Sequence, residues 1–315
     1  MHPIKVSVQA EPRDLPSWLA LAQHLEASGF HALLIGDHPG SGASPWPALG
    51  AAAAVTNTLR LGTYVVQAGV REPMHVAADA ATLDVLAPGR VVLGLGAGHT
   101  PREWQDVGRD RPNPSDRAGR LVEFVELVTR LLRGEQVSLP GRHLQVIDAH
   151  LDELPTGAGR VLVVVGGGHP DILRAAAARA DVVALSGLGR TLEDGHRHEV
   201  RWTRMDLDRR LHTVRDESRR VGTDPELEVL VQLVTETSDR DAAIADLAAR
   251  LTGASPVDLA GTPFLLVGTP TQMANQMLYQ ARTFGITRYV VREPALETMR
   301  AVLPLIVPPA THPDP

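Results

Sequence analysis

Cysteine is absent from all 315 residues. That excludes disulfides and thiolate-bound metals, and it fits a reducing cytoplasm. Aromatic residues make up only 3% of the chain, so a core has to be filled by Ala, Val and Leu. No apolar run comes near the roughly 20 residues that a membrane-spanning helix needs. Basic residues are not in excess either: 31 Lys and Arg face 37 Asp and Glu, a formal charge of −6. Such a balance argues against nucleic acid as a main partner. Met1 leads straight into the mixed run HPIKVSVQA, with neither the basic start nor the long apolar stretch of a signal peptide. The expectation is a cytoplasmic protein that works on a small molecule, with no membrane or nucleic acid involved. What the chain does have is hydrophobic side chain, 43% of residues, enough for a large core.

Short β-branched runs alternate with Ala-rich helical stretches. IKVSVQA (4–10) reads as a first strand, and LPSWLALAQHLEAS (15–28) as a helix stopped by Gly29. HALLIG, LRLGTYVVQ (59–67) and RVVLGLG follow as strands two to four, separated by PALGAAAAVTN and by PMHVAADAATLDVLA, which stops at Pro88-Gly89. A polar segment (101–114), a helix and a hairpin-like excursion, EQVSLPGRHLQVID, precede strand five at RVLVVVGGG (160–168). DVVALSG (181–187) reads as strand six, ELEVLVQLVTE as strand seven and ITRYVV (286–291) as strand eight. Between strands six and seven, 188–212 reads as a charged insertion with helical parts. Right-handed strand-helix alternation fits a closed barrel or a doubly wound open sheet, and the count of eight favours the (β/α)8 TIM barrel, with insertions at its C-terminal rim. Neither a repeat nor a low-complexity linker divides residues 1–315, so one domain is expected.

In such a barrel the residues after each strand gather at one rim, where active sites lie. Four of these loops carry unusual chemistry: Asp37-His38, Gln67-Ala68-Gly69, the run GLGAGH from Gly94 to His99, and Gly166-Gly167-Gly168 before a helix. Glycine-rich strand ends let backbone amides approach a ligand, and a helix N-terminus favours an anion, typically phosphate. Two such loops on adjacent strands point to a phosphate-bearing cofactor, although plain tight turns read the same way. GLGAGH fails the dinucleotide fingerprint, because Gly94, Gly96 and Gly98 are spaced two apart with no third glycine at the required offset. Asp37-His38 has three readings. A metal site lacks partners at ligand spacing; a structural cap for the next segment is plausible; an acid–base imidazole beside a bound ligand fits the position best.

GDH at 36–38, LRLGTYVV at 59–66, REPMHVAADAATLDVLAPGRVVLGLGAG at 71–98, VVGGG at 164–168, VGTPTQMANQML at 267–278 and GITRYVV at 285–291 occur in a characteristic order. Together they resemble the bacterial-luciferase-like flavin and deazaflavin oxidoreductases over nearly the whole chain. LEVLVQLVTETSDRDAAIADLAARL further resembles an actinobacterial branch of coenzyme F420-dependent oxidoreductases. The resemblance implies a (β/α)8 barrel, usually homodimeric, with the cofactor ring at the rim. Asp37 and His38 match the Asp-His pair of the deazaflavin enzymes, in which the His is the proposed proton carrier. Tyr64, Val65 and Val66 match the segment backing the ring, with a non-proline cis peptide implied at Tyr64–Val65. Gly96 and Gly98 match the strand-four wall, and Gly166, Gly167 and Gly168 the loop near the cofactor phosphate. Three departures stand out. His99 replaces a proposed catalytic Glu of the sugar-phosphate dehydrogenase branch. Ser186-Gly187-Leu188 replaces Ser-Gly-Lys, which removes a phosphate-binding cation and argues against glucose 6-phosphate as substrate. The proline-rich lead into strand five is reduced to LPTGAG.

The resulting expectation is a coenzyme F420-dependent oxidoreductase moving a hydride between the deazaflavin C5 and a small organic substrate. Alcohol oxidation and reduction of an activated C=C or C=N use the same parts. His38 and His99 are the catalytic candidates, Asp37 would orient His38 or contact the ring, and no metal is expected. The alternatives are a monooxygenase using reduced FMN on the same fold, and a non-catalytic flavin-binding protein.

Overall fold

Eight parallel strands close into a barrel in the computed structural model, which describes residues 2–152, 160–191, 198–251 and 254–306. In chain order the barrel strands are Lys5–Gln9, Ala32–Ile35, Arg60–Gln67, Val91–Gly96, Leu162–Gly166, Val182–Leu185, Glu226–Leu230 and Ile286–Arg292. Each pairs with the next, and the last pairs with the first, Lys5 lying opposite Arg288. The expected (β/α)8 barrel is what forms.

The second, fourth and sixth strands are buried along their whole length, as parallel strands wrapped by helices must be. Their outward residues, such as Leu33 and Leu93, join the helices in the main core. Inward residues of several strands, among them Ala32, Leu34, Val92, Val164, Val182 and Val290, form a second cluster. Small aliphatic side chains fill the barrel where aromatics are scarce. Towards the amino-terminal ends of the strands the filling becomes ionic. Lys5 Nζ lies 2.9 Å from Glu226, and Arg288 reaches Glu226 at 3.2 Å and Glu228 at 3.3 Å.

Helix boundaries follow local chemistry. Asp14 accepts from the Ser17 amide at 2.8 Å to start the helix Leu15–Ala27, and Gly29 turns the chain out of it. The helix Pro73–Leu86 ends just before Gly89, whose N–H is taken up by Asp84 Oδ1 at 2.9 Å. Val137–Pro140 and Gln145–Ala149 form the expected antiparallel hairpin.

Several elements differ from the sequence reading. ELEVLVQLVTE is two strands: Glu226–Leu230 stays in the barrel, whereas Leu233–Glu236 leaves it and pairs in parallel with Leu265–Gly268. The two halves have the same β propensity, and only the available partner edge separates them. The polar segment 101–114 contains a short helix, Pro101–Asp106. In the charged insertion, Leu188–Thr191 pairs with His198–Val200, and the helix Arg204–Val221 follows. LPTGAG lies outside the described residues. The Tyr64–Val65 peptide is cis, in agreement with what the resemblance implies, and the register with the fourth strand shifts between Thr63 and Val66. Among the described residues no helix is long and apolar enough to cross a membrane.

Candidate active site

His38 lies three residues beyond Ile35, the end of the second strand, and its Nδ1 lies 2.7 Å from Glu103 Oε1. Glu103 comes from the short helix Pro101–Asp106 and is only 2% exposed. Its other oxygen accepts from Gln67 Nε2 at 3.0 Å, and Gln67 Oε1 accepts in turn from the Gly69 amide at 2.8 Å. The chain of contacts Gly69–Gln67–Glu103–His38 leaves each buried polar atom in it with a partner, which is the condition for a stable buried network.

Glycines make room for this network. Gly98, with φ +75, lies against the Gln67 amide, where a Cβ would collide with it. Gly69 lies against the buried Trp104 ring, where a Cβ would collide with it.

Charge follows geometry. The Glu103 hydrogen bond raises the His38 pKa above the ordinary 6.5; burial opposes this, and the charges of Glu103, Glu11 and Asp37 add to the rise. Burial pushes Glu103 up, but its hydrogen bonds to His38 and Gln67 prevail and hold it below its ordinary value. The pair therefore strengthens the fold in a middle window. That contribution is lost as pH rises through the raised His38 pKa, and also as pH falls through the lowered Glu103 pKa. Glu11, across the rim, is pushed up by burial against hydrogen bonds from Ala43 and Gly36 and the His38 charge. His99 stands edge-on to His38, ring centroids 5.7 Å apart.

These geometries give a prediction. Glu103→Gln should lower the midpoint of the His38 ring titration followed by NMR, because the charge-assisted partner is gone. An unchanged midpoint would show that Glu103 does not set the state of His38.

Asp37 does not orient His38. It is 2% exposed, pairs with Arg71 through contacts of 3.0 and 2.7 Å, and accepts from the Gln67 amide at 3.2 Å. Both oxygens are thus spent on the third strand's end, and the orienting acid is Glu103. Tyr64 turns inward: its side chain belongs to the barrel-centre cluster, and its carbonyl accepts from Gln9 Nε2 at 2.9 Å. Val65 is part-exposed and packs against Gly94, Gly96 and Gly166, while Val66 is buried in the outer core. Gly96 therefore has a local reason to be glycine, the close approach of Val65. Gly167 packs on Ile172, and Gly168 is exposed just ahead of the helix Pro170–Arg179.

Sequence reading missed Glu103, Glu11 and Arg71. Thr100-Pro-Arg-Glu103 has the spacing of a helix capping box, yet Thr100 makes no side-chain cap bond and Glu103 turns to His38. Gln67 stood among the unusual loop residues, but nothing in the sequence paired it with Glu103.

A buried acid holding an imidazole at the C-terminal rim of a closed TIM barrel is a geometry suited to acid–base chemistry. The chain belongs to the luciferase-like monooxygenase family, whose model matches residues 1–255. It is 35% identical over 197 residues to an F420-dependent glucose-6-phosphate dehydrogenase of Beutenbergia cavernae, covering 58% of this chain and 56% of that protein. A 4-hydroxyprotoasukamycin monooxygenase of Streptomyces nodosus subsp. asukaensis is 34% identical over 172 residues, 52% of this chain and 44% of that protein. The matches thus span about half the length of these relatives. Among solved structures, an F420-dependent secondary alcohol dehydrogenase in complex with an F420-acetone adduct superposes with a TM-score of 0.75 at 18% identity, covering 98% of this chain and all of that one. A long-chain alkane monooxygenase gives 0.72 at 17% identity, covering 98% of this chain and 90% of that one. At these identities the likeness is one of fold.

Proposed function

We propose that this protein is a coenzyme F420-dependent oxidoreductase moving a hydride between the deazaflavin and a small organic substrate. The observation that carries the reading is His38, held by buried Glu103 at the rim beside the Val65 platform. The residues present fit such a cofactor. Part-exposed Val65 and Gly166 offer an apolar surface to a flat ring, and Gly168 opens onto a helix N-terminus suited to a phosphate.

When bound, the deazaflavin supplies the hydride chemistry at its C5. His38 handles the proton. With Nδ1 committed to Glu103, Nε2 is the nitrogen left to give a proton to the substrate or take one from it. Glu103 keeps the imidazole protonated to higher pH and fixes its ring plane, Gln67 fixes Glu103, and His99 is the second acid–base group. Asp37 and Arg71 brace the end of the third strand, which presents Val65. No lysine stands at Leu188, so a sugar phosphate is not the substrate in this reading. Family resemblance supports a homodimer, and the lack of cysteine a reducing cytoplasm.

A second reading, an FMN-dependent monooxygenase, is favoured by the likeness to 4-hydroxyprotoasukamycin monooxygenase. Fluorescence titration of the purified protein with coenzyme F420 and with FMN separates the two. Saturable deazaflavin binding is expected, preferred over FMN. Micromolar FMN binding with no deazaflavin binding would overturn the proposal.

A further inference from the structure

A cavity of about 720 Å3 opens at the amino-terminal mouth of the barrel, the end opposite His38. That volume falls within the roughly 300–1,000 Å3 typical of small-molecule sites. Its apolar wall comes from Ile4, Val6, Phe30, Leu303 and Ile306, and its charged groups are Lys5, Arg60 and Arg300. No Asp or Glu is among the residues that line it. In a chain of formal charge −6, this is a local excess of positive charge.

The three cations are not equivalent. Lys5 is paired with Glu226 at 2.9 Å, and Arg300 with Glu297 at 2.7 Å. Arg60 is half-buried, and its Nη1, shielded from solvent, meets no hydrogen-bond partner among the described residues, so a ligand reaches it once the guanidinium turns toward the cavity. Burial and the neighbouring Arg288 disfavour its charge, with Glu226 and Asp84 pulling the other way. His31 gives no relief. Its Nε2 lies 2.9 Å from Arg288 Nη2, and burial with the cations around it takes its pKa down to about 3, so the ring is neutral and accepts from Arg288. Glu226 and Glu228 are occupied by Lys5 and Arg288.

We propose that this mouth binds a small organic anion: an oxyanion group, phosphate monoester or carboxylate, settling on Arg60, with an apolar body against Phe30, Leu303 and Ile306. The oxyanion supplies the charge-assisted partner that Arg60 lacks. The apolar body gains from covering the aliphatic wall, which a bare inorganic ion leaves wet. The site is independent of the hydride chemistry at the other rim.

Phenyl phosphate, benzoate and inorganic phosphate are the probes, titrated by calorimetry into the full chain, with NMR of the histidine rings. Phenyl phosphate or benzoate should bind saturably at one site, tighter than inorganic phosphate, and move the His31 resonance while leaving His38 in place. The tighter of the two identifies the oxyanion. Arg60→Met should weaken that binding by about 10-fold or more, as expected for a lost hydrogen bond to a charged group. Arg300→Gln, at an exposed position that carries little packing, should weaken it by about 2–5-fold, and it decides the matter should Arg60→Met fail to fold. Three results overturn the proposal: no saturable binding, binding by inorganic phosphate as tight as by the organic probes, or a shift of His38 in place of His31.

Discussion

His38→Ala is expected to fold, to bind the deazaflavin and to lose turnover by about 10²–10⁴-fold, the usual cost of removing a positioned acid–base group. Its side chain is 40% exposed and its hydrogen bond is to Glu103, so little packing goes with it. Glu103 keeps Gln67 as a partner, but without the imidazolium its carboxyl takes up a proton more readily. A structural His38 would give the opposite pattern, a lower melting temperature with normal activity in the folded fraction. Thermal melts and single-turnover rates on one preparation distinguish the two. Near wild-type turnover in the folded variant would move the proton role to His99.

Arg288→Ala should produce the largest loss of stability. Arg288 and Glu228 are each 2% exposed, and Arg288 also reaches Glu226. Removing one member of a buried pair leaves an uncompensated charge and typically costs about 3–5 kcal/mol. Burial already raises the Glu228 pKa, with Arg288 and the Tyr64 hydroxyl opposing it. Without Arg288 that carboxyl is pushed further up. A carboxyl whose folded pKa exceeds its unfolded one favours folding at low pH and loses that benefit as pH rises between the two values. The deficit measured by urea unfolding should therefore be smaller at pH 5 than at pH 8. Adding Glu228→Gln should recover part of it, since the buried charge is then gone. Equal deficits at both pH values, or no recovery, would show that the ion pair does not bear on stability as argued.

The ionic filling at the barrel's amino-terminal end could not be read from the chain. Lys5, Glu226, Glu228 and Arg288 are scattered over some 280 positions, and in sequence each reads as an ordinary surface charge. Closure of the sheet sets Lys5 beside Arg288 and Arg288 beside Glu228, where period-2 alternation turns them all inward. The candidate site behaves alike. His38 was legible because it follows directly after an apolar strand, at a position that a barrel always exposes. Glu103 was not, since its distance to His38 depends on how the third and fourth strands and the helix Pro101–Asp106 come together.

By itself the sequence determined the barrel, the order of its strands, the helix stops at Gly29 and Gly89, and the rim on which the candidate residues gather. These rest on local periodicity, turn residues and strand count, and each can be counted along one stretch of chain. Tertiary structure alone decided that Glu103 and not Asp37 holds His38, that Tyr64 faces the barrel centre while Val65 meets the rim, and that Leu233–Glu236 leaves the barrel. Those outcomes depend on which distant groups meet. A carboxylate has no preference for one partner in the sequence, and only packing brings it within 3 Å of an imidazole or a guanidinium.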